Sequence, residues 1–254
     1  MGVLALETGI TYGPIRSRRL GWSLGVNLLS TRHKLCSFDC VYCHYGTTEV
    51  TTLCPSGRDF PWPDEVVRAV DRALREHRKV DYLTLSGNGE PTLHPAFPSI
   101  VQKLRLLLDQ VAPDTRLALF SNATTVHRPE IRTALDWFDL PILKLDAGDG
   151  ITFRRINRPA REVRYKAILE GLREVPNLVL QTVMVDGTVT NARGRAYEQW
   201  VDRIGELQPA WVQIYSTDYP VPQNGVERVL PYVLRDIAED VERRTGVRVQ
   251  AYWR

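Results

Sequence analysis

Three of the four cysteines lie within eight residues, at Cys36, Cys40 and Cys43. Spacings of three and then two intervening residues allow the three sulfurs to face one centre from a single loop. Thiolate ligands suit zinc or an iron–sulfur cluster. A structural zinc site takes four protein ligands, so that interpretation needs His44 or Cys54 as the fourth. A four-iron cubane on three thiolates instead leaves one iron open, as a catalytic metal site leaves one position free.

Short apolar segments alternate six times with segments of helical periodicity. The predicted strands are 22–29, 81–86, 116–120, 141–146, 178–184 and 211–215, and the predicted helices are 64–78, 99–110, 129–138, 162–175, 195–207 and 231–245. Such alternation predicts a parallel sheet, either an incomplete barrel or an open doubly wound sheet. Because no linker divides the chain, we expect one domain over 1–254. It would comprise an irregular segment 1–21, six β/α units over 22–245, and a C-terminal strand or edge cover over 246–254.

Polar and glycine-rich residues follow the predicted strands. Gly87–Pro91 follows the second strand, Ser121 and Asn122 follow the third, Asp146 ends the fourth, and Tyr215 ends the sixth. In a parallel α/β fold the carboxyl ends of the strands lie on one rim, where such folds build their sites. Since the cysteine loop follows the first strand, the sequence predicts one site at the C-terminal rim.

The cysteine spacing, with Tyr42 directly before the last cysteine, resembles the signature of the radical S-adenosylmethionine (SAM) superfamily. Several segments further resemble relatives of the wyosine-type tRNA-modifying synthases: YGPIRSRRLGWSLGVNLL, CSFDCVYCHYGTTE, SGNGEPTLHPAF, KLDAGD followed by INRP, and VQIYSTDYP. The resemblance runs from about Tyr12 to Val229. It implies a partial (β/α)6 TIM-like barrel and a [4Fe-4S] cluster on the three cysteines, with SAM on the open iron. Reductive cleavage of SAM would give methionine and a 5′-deoxyadenosyl radical that removes hydrogen from a substrate.

The resemblance also implies cofactor contacts on the rim. Glycines in Gly87–Pro91 would let the backbone approach SAM, and a carboxylate would pair with its ammonium group. The candidate cofactor contacts are Tyr42, Gly87, Asn88, Gly89, Glu90, Pro91, Ser121, Asn122, Lys144, Asp146, Thr182 and Met184. Plain turns are the alternative for the glycine segment and for Ser121 and Asn122. An internal ion pair is the alternative for Lys144 and Asp146, and a core position for Met184.

Further polar residues near the rim are candidates for the substrate. The candidate substrate contacts are Arg18, Arg19, His44, Asn157, Arg158, Tyr215 and Asp218, and the candidate catalytic side chains are Cys54 and Tyr215. With Arg16, the first two arginines form a basic cluster that could hold phosphate, although basic segments are commonly just solvated. A spare thiol is the alternative for Cys54.

Composition limits the classes of protein that fit. Hydrophobic residues make up 43% and charged residues 25%, as in a globular domain with a core. A net charge of +3 permits a phosphate-bearing partner such as RNA but does not indicate a dedicated nucleic-acid-binding domain. No apolar run is long enough for a membrane span, and the N-terminus lacks secretory-signal features, so we expect a cytoplasmic protein without a membrane partner.

Partners and alternative functions follow from the same residues. A second three-cysteine cluster needs more than Cys54, and the sequence has no flavodoxin-like segment. We therefore expect a separate electron donor of flavodoxin or ferredoxin type. One alternative function is an activase that makes a glycyl radical on a protein partner. A different class is a zinc-stabilised, basic RNA-binding module without radical chemistry.

Overall fold

The computed structural model describes residues 3–29, 31–56 and 60–253. The strands are β1 Thr11–Ser17, β2 Gly21–Val26, β3 Leu35–Cys36, β4 Val50–Thr51, β5 Tyr82–Leu85, β6 Arg116–Ser121, β7 Leu140–Lys144, β8 Val179–Val183, β9 Val185–Gly187, β10 Trp211–Tyr215, β11 Val226–Arg228 and β12 Val249–Tyr252. The helices are α1 Pro63–Glu76, α2 Phe97–Val111, α3 Pro129–Leu135, α4 Gly150–Asn157, α5 Tyr165–Arg173, α6 Gly194–Leu207 and α7 Pro231–Thr245.

Eight strands form one mostly parallel sheet in the order β1-β2-β5-β6-β7-β8-β10-β12. β1 and β2 are antiparallel neighbours, and every later neighbouring pair of this sheet is parallel. Residues of β1 and of β10, near the two ends of this order, line one cavity, so the sheet curls around it. The predicted partial TIM-like barrel is confirmed.

The N-terminal segment is more regular than predicted. Within the segment 1–21 that is expected to be irregular, Thr11–Ser17 forms β1, which pairs with β2 at the edge of the sheet. The register shifts between Tyr12 and Ile15, around Gly13 and Pro14. Proline has no N–H to donate to a strand ladder, so within sheets it occurs at edge strands and bulges. Its presence in the sequence therefore argues against a strand, which is why β1 is not predicted. At the other end of the chain, β12 pairs with β10 as a parallel edge strand.

One helix is not predicted at all. α4 begins directly after Asp149, whose carboxylate accepts hydrogen bonds from the backbone N–H groups of Ile151 and Thr152 at 2.8 and 3.1 Å. This N-cap is the only clear sequence signal for the helix, since eight residues give little periodicity. In the described ranges, each helix is too short or too polar to span a bilayer.

The strands separate the cavity from the core. All five residues of β8 are buried, because its outer face packs under helices and its inner face lines the cavity. On the outer side, Trp200 of α6 is fully buried in the core, and its Nε1 donates to the carbonyl oxygen of Leu145 at 3.1 Å. These contacts hold the end of β7 and the loop after it in place.

Candidate active site

One cavity of about 310 Å³ lies at the C-terminal rim of the sheet. Its lining comprises Tyr12, Arg19, Cys36, Phe38, Cys40, Tyr42, Cys43, His44, Tyr45, Ser86, Gly87, Gly89, Glu90, Phe120, Ser121, Asn122, Lys144, Gln181, Val183 and Tyr215. The structure thus brings the clustered cysteines together with residues at the C-terminal ends of β5, β6 and β7.

Backbone hydrogen bonds fix the cysteine loop. Cys36 lies in β3, which pairs with β4. Val41 N donates to the carbonyl oxygen of Ile156 in α4 at 2.9 Å, and Cys43 N donates to that of Cys40 at 3.1 Å. These contacts fix the backbone that carries the three sulfurs.

Two buried asparagines donate hydrogen bonds to these sulfurs. Asn122 Nδ2 lies 3.5 Å from Cys36 Sγ, and Asn157 Nδ2 lies 3.4 Å from Cys40 Sγ. Burial raises the pKa of the Cys36 thiol, and burial with the nearby Asp146 carboxylate raises the pKa of Cys40 to about 11. Both groups are thus neutral thiols until a metal displaces the proton.

The donor set fits a cluster bound by three thiolates. The three clustered cysteines are half-buried and line the cavity, whereas Cys54 is exposed and lies outside it. In the part of the chain that the structure describes, no three Cys, His, Asp or Glu side chains are positioned to hold one metal ion. In a cubane each thiolate binds a different iron, so its sulfurs stand further apart than around a single zinc ion. Three thiols on one loop beside one cavity are the donors that such a cluster needs.

Glu90 is a buried carboxylate in the cavity wall. Its Oε1 accepts hydrogen bonds from Thr92 N, Thr92 Oγ1 and Ser121 Oγ at 3.1, 2.6 and 2.8 Å, whereas Oε2 accepts one from Asn122 N at 2.6 Å. Burial raises the pKa of Glu90, although these hydrogen bonds act in the opposite direction. No described lysine, arginine or histidine forms an ion pair with it. A cationic group of a ligand would complete its environment.

Gly89 brings the glycine-rich segment into contact with the cysteine loop. Its φ is 150°, and a Cβ atom there would lie 1.6 Å from the carbonyl oxygen of Leu35. Leu35 directly precedes Cys36, and its N–H donates to Asn88 O at 3.2 Å. Only glycine allows this approach, so the two ligand-facing loops are fixed relative to each other.

Lys144 and Asp146 form a buried polar network with Tyr42. Lys144 Nζ lies 3.9 Å from Asp146 Oδ1 and 4.6 Å from the centroid of the Tyr42 ring. The Tyr42 hydroxyl donates to Asp146 Oδ2, and Asn157 Nδ2 donates to the same oxygen at 2.7 Å. Burial alone would lower the pKa of Lys144, but Asp146 raises it, so the lysine is a cation. The internal ion pair is formed, and of the two residues only Lys144 lines the cavity.

Arg19 enters the cavity from the turn between β1 and β2. Its guanidinium carbon lies 4.5 Å from the ring centroid of Tyr215 and 5.6 Å from that of Phe120. Its Nη1 is buried and has no hydrogen-bond partner. The guanidinium is therefore held by aromatic faces rather than by acceptors.

The neighbouring Arg18 connects the β1–β2 turn to the opposite side of the sheet through an ion pair. It lies 2.6 Å from Asp218, which follows β10, and Asp218 lies 3.0 Å from Arg228. The Asp218 side chain is only 6% exposed, so its charge is matched by two guanidinium groups. This triad, Arg18–Asp218–Arg228, ties the β1–β2 turn to the loop after β10.

The structure places the two predicted cofactor contacts at the end of β8, Thr182 and Met184, outside the cavity lining. Thr182 Oγ1 donates to the carbonyl oxygen of Leu145 at 2.7 Å, and Met184 lies in the core. Neither lines the cavity, because both lie on the face that packs under the helices. Gln181 and Val183 line it instead.

Asn88 and Pro91 also lie outside the cavity lining. Asn88 Oδ1 accepts from Glu7 N at 2.8 Å, and its Nδ2 donates to Glu7 O at 2.9 Å. Pro91 is buried and begins a one-turn 3₁₀ helix. Both residues shape the segment that carries Gly89 and Glu90, whereas the sequence predicted direct contacts with the cofactor.

The predicted substrate contacts divide into two groups. Those in the cavity are Arg19, His44 and Tyr215. Asn157 is buried beneath the cysteine loop, and Arg18 and Asp218 bind each other. Arg158 is exposed, contacts Gln223 and lies 3.9 Å from Asp39.

Several residues that line the cavity are not predicted from the sequence, among them Tyr12. Its hydroxyl lies 2.5 Å from Ser86 Oγ, and its ring covers Gly25, where a Cβ atom would lie 2.1 Å from the ring carbon Cζ. A single glycine inside a predicted strand signals such a close approach. Nothing comparable marks Phe38, Tyr45 or Phe120.

Sequence comparison identifies the family. The model of the radical SAM superfamily matches residues 32–207. A UPF0026 protein of Methanocaldococcus jannaschii is 36% identical over 165 residues, which cover 64% of this chain and 48% of that protein. The chain spans between 24% and 50% of the length of the first three curated relatives that it matches.

Solved structures show the same fold at low identity. TYW1 with a lysine-pyruvate adduct bound has a TM-score of 0.64 and 14% identity, covering 88% of this chain and 74% of that chain. A radical SAM methyltransferase from Sphaerobacter thermophilus has a TM-score of 0.66 and 15% identity, with coverage of 91% and 65%. These likenesses concern the fold alone. Because the family model covers more than half of its length, the chain belongs to the radical SAM superfamily, whose members are enzymes that use a [4Fe-4S] cluster and SAM.

Proposed function

We propose that the chain is a radical SAM enzyme whose substrate binds in the cavity at the C-terminal rim. A cluster on Cys36, Cys40 and Cys43, together with SAM, would supply a 5′-deoxyadenosyl radical that abstracts hydrogen from the substrate. The convergence of three half-buried sulfurs, Glu90 and Asn122 on one cavity carries this proposal.

The glycine-rich segment and its neighbours would bind SAM. Oε2 of Glu90 accepts a single hydrogen bond from the protein, so it can accept another from the ammonium group of SAM. Gly87 and Gly89 present backbone without side chains to the cavity, and Ser121 would hydrogen-bond the ribose. The Lys144 ammonium would add a contact with the carboxylate of SAM.

Apolar and aromatic side chains would protect a reactive intermediate. Phe38, Phe120, Val183 and Tyr215 line the same cavity as the cysteines. Such side chains exclude water, which strengthens electrostatic contacts and suppresses side reactions. Polar side chains in the same lining, among them Arg19, Lys144 and Gln181, would position the substrate.

A separate protein of flavodoxin or ferredoxin type would deliver the electron, in the cytoplasm. An RNA nucleoside is one candidate substrate, supported by the resemblance to wyosine-type synthases and by the net charge of +3.

Anaerobic reconstitution tests the proposal. Wild type, Cys40→Ala and Cys54→Ala are loaded with iron and sulfide, reduced with SAM present, and assayed for iron, 5′-deoxyadenosine and methionine. Cys54 is the matched control because it is an exposed cysteine outside the cavity. We expect about four irons per chain, absorbance at roughly 400 nm and both products in wild type and in Cys54→Ala. We expect none of these in Cys40→Ala.

Two results would refute the proposal. About one zinc per chain with no iron or sulfide would support the zinc-stabilised RNA-binding module. Equal iron content and product formation in Cys40→Ala and wild type would remove the cysteine loop from the site.

A further inference from the structure

We propose that Arg19 is a substrate-selecting residue that binds an anionic group, a carboxylate or a phosphate, on the substrate. This inference rests on the proposed function, because it places the substrate in the same cavity. It names a chemical class for that substrate, a small molecule with a negatively charged group.

The first argument is the environment of the guanidinium. Arg19 lines the cavity, stacked at 4.5 Å from the Tyr215 ring centroid and 5.6 Å from that of Phe120. Stacking on ring faces leaves the N–H groups at the edge of the plane free to bind a ligand. One of these nitrogens, Nη1, is buried without an acceptor. Buried donors without partners are rare in proteins, so the described protein groups alone leave this guanidinium incompletely compensated.

The second argument is the distribution of carboxylates. Asp218 binds Arg18 and Arg228, and Asp146 lies 3.9 Å from Lys144. Over the described residues, no carboxylate forms an ion pair with Arg19. The fold therefore balances the neighbouring cations and leaves this one unmatched in the cavity. An anionic ligand would balance it.

The third argument is geometry. A guanidinium binds carboxylate and phosphate through two parallel hydrogen bonds, which fixes the orientation of the ligand as well as its charge. Two aromatic rings hold the plane of Arg19, and the adjacent Arg18–Asp218 ion pair holds its backbone against the loop after β10. The guanidinium is thus presented by a fixed turn rather than by a mobile surface side chain.

SAM also carries a carboxylate, so the test must separate the two sources. Cluster-loaded protein with saturating SAM is titrated with inorganic phosphate and with acetate, and binding is measured by calorimetry. Chloride at equal ionic strength is the control titration. With the SAM site filled, a remaining response to phosphate or acetate reports a second anion site. Comparison of phosphate with acetate identifies which group the site prefers.

The variants are Arg19→Gln and Arg19→Met, with Arg16→Gln as control. Arg16 belongs to the same hairpin but is exposed and lies outside the cavity. Its replacement by glutamine changes the net charge as Arg19→Gln does, but leaves the cavity lining intact. Methionine keeps an apolar stem against the two rings, and provides a second neutral variant should glutamine disturb folding. We expect wild type and Arg16→Gln to bind phosphate or acetate, and the Arg19 variants to bind at least about tenfold more weakly.

Three outcomes would overturn the inference. They are no binding of either anion to wild type, equal binding to the Arg19 variants, and a tenfold loss of SAM affinity in those variants, which would assign Arg19 to the carboxylate of SAM. The 5′-deoxyadenosine assay on wild type is independent of these titrations. A protein that binds the anion but yields no 5′-deoxyadenosine would refute the proposed function and leave the anion site standing.

Discussion

Replacing Gly89 with alanine would insert a Cβ atom 1.6 Å from the carbonyl oxygen of Leu35. Real Cβ contacts are essentially never shorter than 3.0 Å, so the two backbones must separate by about 1.4 Å, the difference between 3.0 and 1.6 Å. The displaced residue directly precedes Cys36, and its N–H donates to Asn88 O across the same contact. The substitution should therefore disturb both stability and the cysteine loop.

The size of the effect follows from three contributions. A non-glycine residue at positive φ costs about 1–2 kcal/mol, overpacking adds about 1–3 kcal/mol, and loss of the Leu35–Asn88 hydrogen bond adds about 1 kcal/mol. Gly194→Ala is the control for a positive φ without a clash, since its φ of 61° lies in the left-handed region and no atom lies within 4 Å of the new Cβ. We expect about 4 kcal/mol for Gly89→Ala and about 1.5 kcal/mol for the control.

Thermal unfolding measured by circular dichroism tests this estimate. At about 3 °C per kcal/mol for a chain of this size, Tm should fall by about 12 °C in Gly89→Ala and by about 4.5 °C in Gly194→Ala. Iron content after reconstitution should fall only in Gly89→Ala. Equal Tm values and equal iron content in the two variants would refute the close approach of the two loops.

Two further predictions concern the cluster and a helix cap. Asn157→Leu removes the hydrogen bond to Cys40 Sγ, so the midpoint potential of the reconstituted cluster should fall by on the order of tens of millivolts. A redox titration followed by electron paramagnetic resonance measures this potential. An unchanged potential would contradict the role of Asn157. Burial alone would raise the pKa of Asp149, but hydrogen bonds from Thr152 and Ile151 lower it, so its carboxylate stabilises the folded state above about pH 4. Urea unfolding gives the difference in free energy of unfolding between wild type and Asp149→Asn. This difference should be largest at neutral pH and should vanish as the pH falls through the lowered pKa of Asp149 in the folded state. A difference that does not change with pH would argue against a charged cap.

The parts of the site that the sequence predicts are those set by local spacing. The three cysteines lie in one loop, and Gly87–Pro91 directly follows a buried strand, so their common rim follows from a parallel sheet. Likewise, the period of two along β8 predicts that Gln181 and Thr182 point to opposite faces. It does not say which face is inside, because both sides of a parallel strand are buried. The structure assigns the cavity to Gln181.

Contacts between distant segments escape sequence reasoning. The hydrogen bond from Asn157 to Cys40 depends on α4, whose eight residues carry too little periodicity to be recognised. The stacking of Arg19 on Tyr215 depends on how the β1–β2 turn meets the far side of the sheet. Contacts between residues so far apart in the sequence depend on tertiary packing. The sequence therefore does not distinguish Arg18 from Arg19, although only Arg19 lines the cavity.

The Arg18–Asp218–Arg228 triad also bears on how the chain matures. Arg18 and Asp218 are separated by 200 positions, so their ion pair waits until most of the chain has left the ribosome. The cysteine loop is synthesised early, but the turn that carries Arg19 is not secured, and Tyr215 is not present, until the last β/α unit emerges. Contacts of such sequence separation form late in folding. The cavity is therefore completed only once β10 and the loop after it have packed against the β1–β2 turn, and a cofactor can meet the full set of lining residues only after that step.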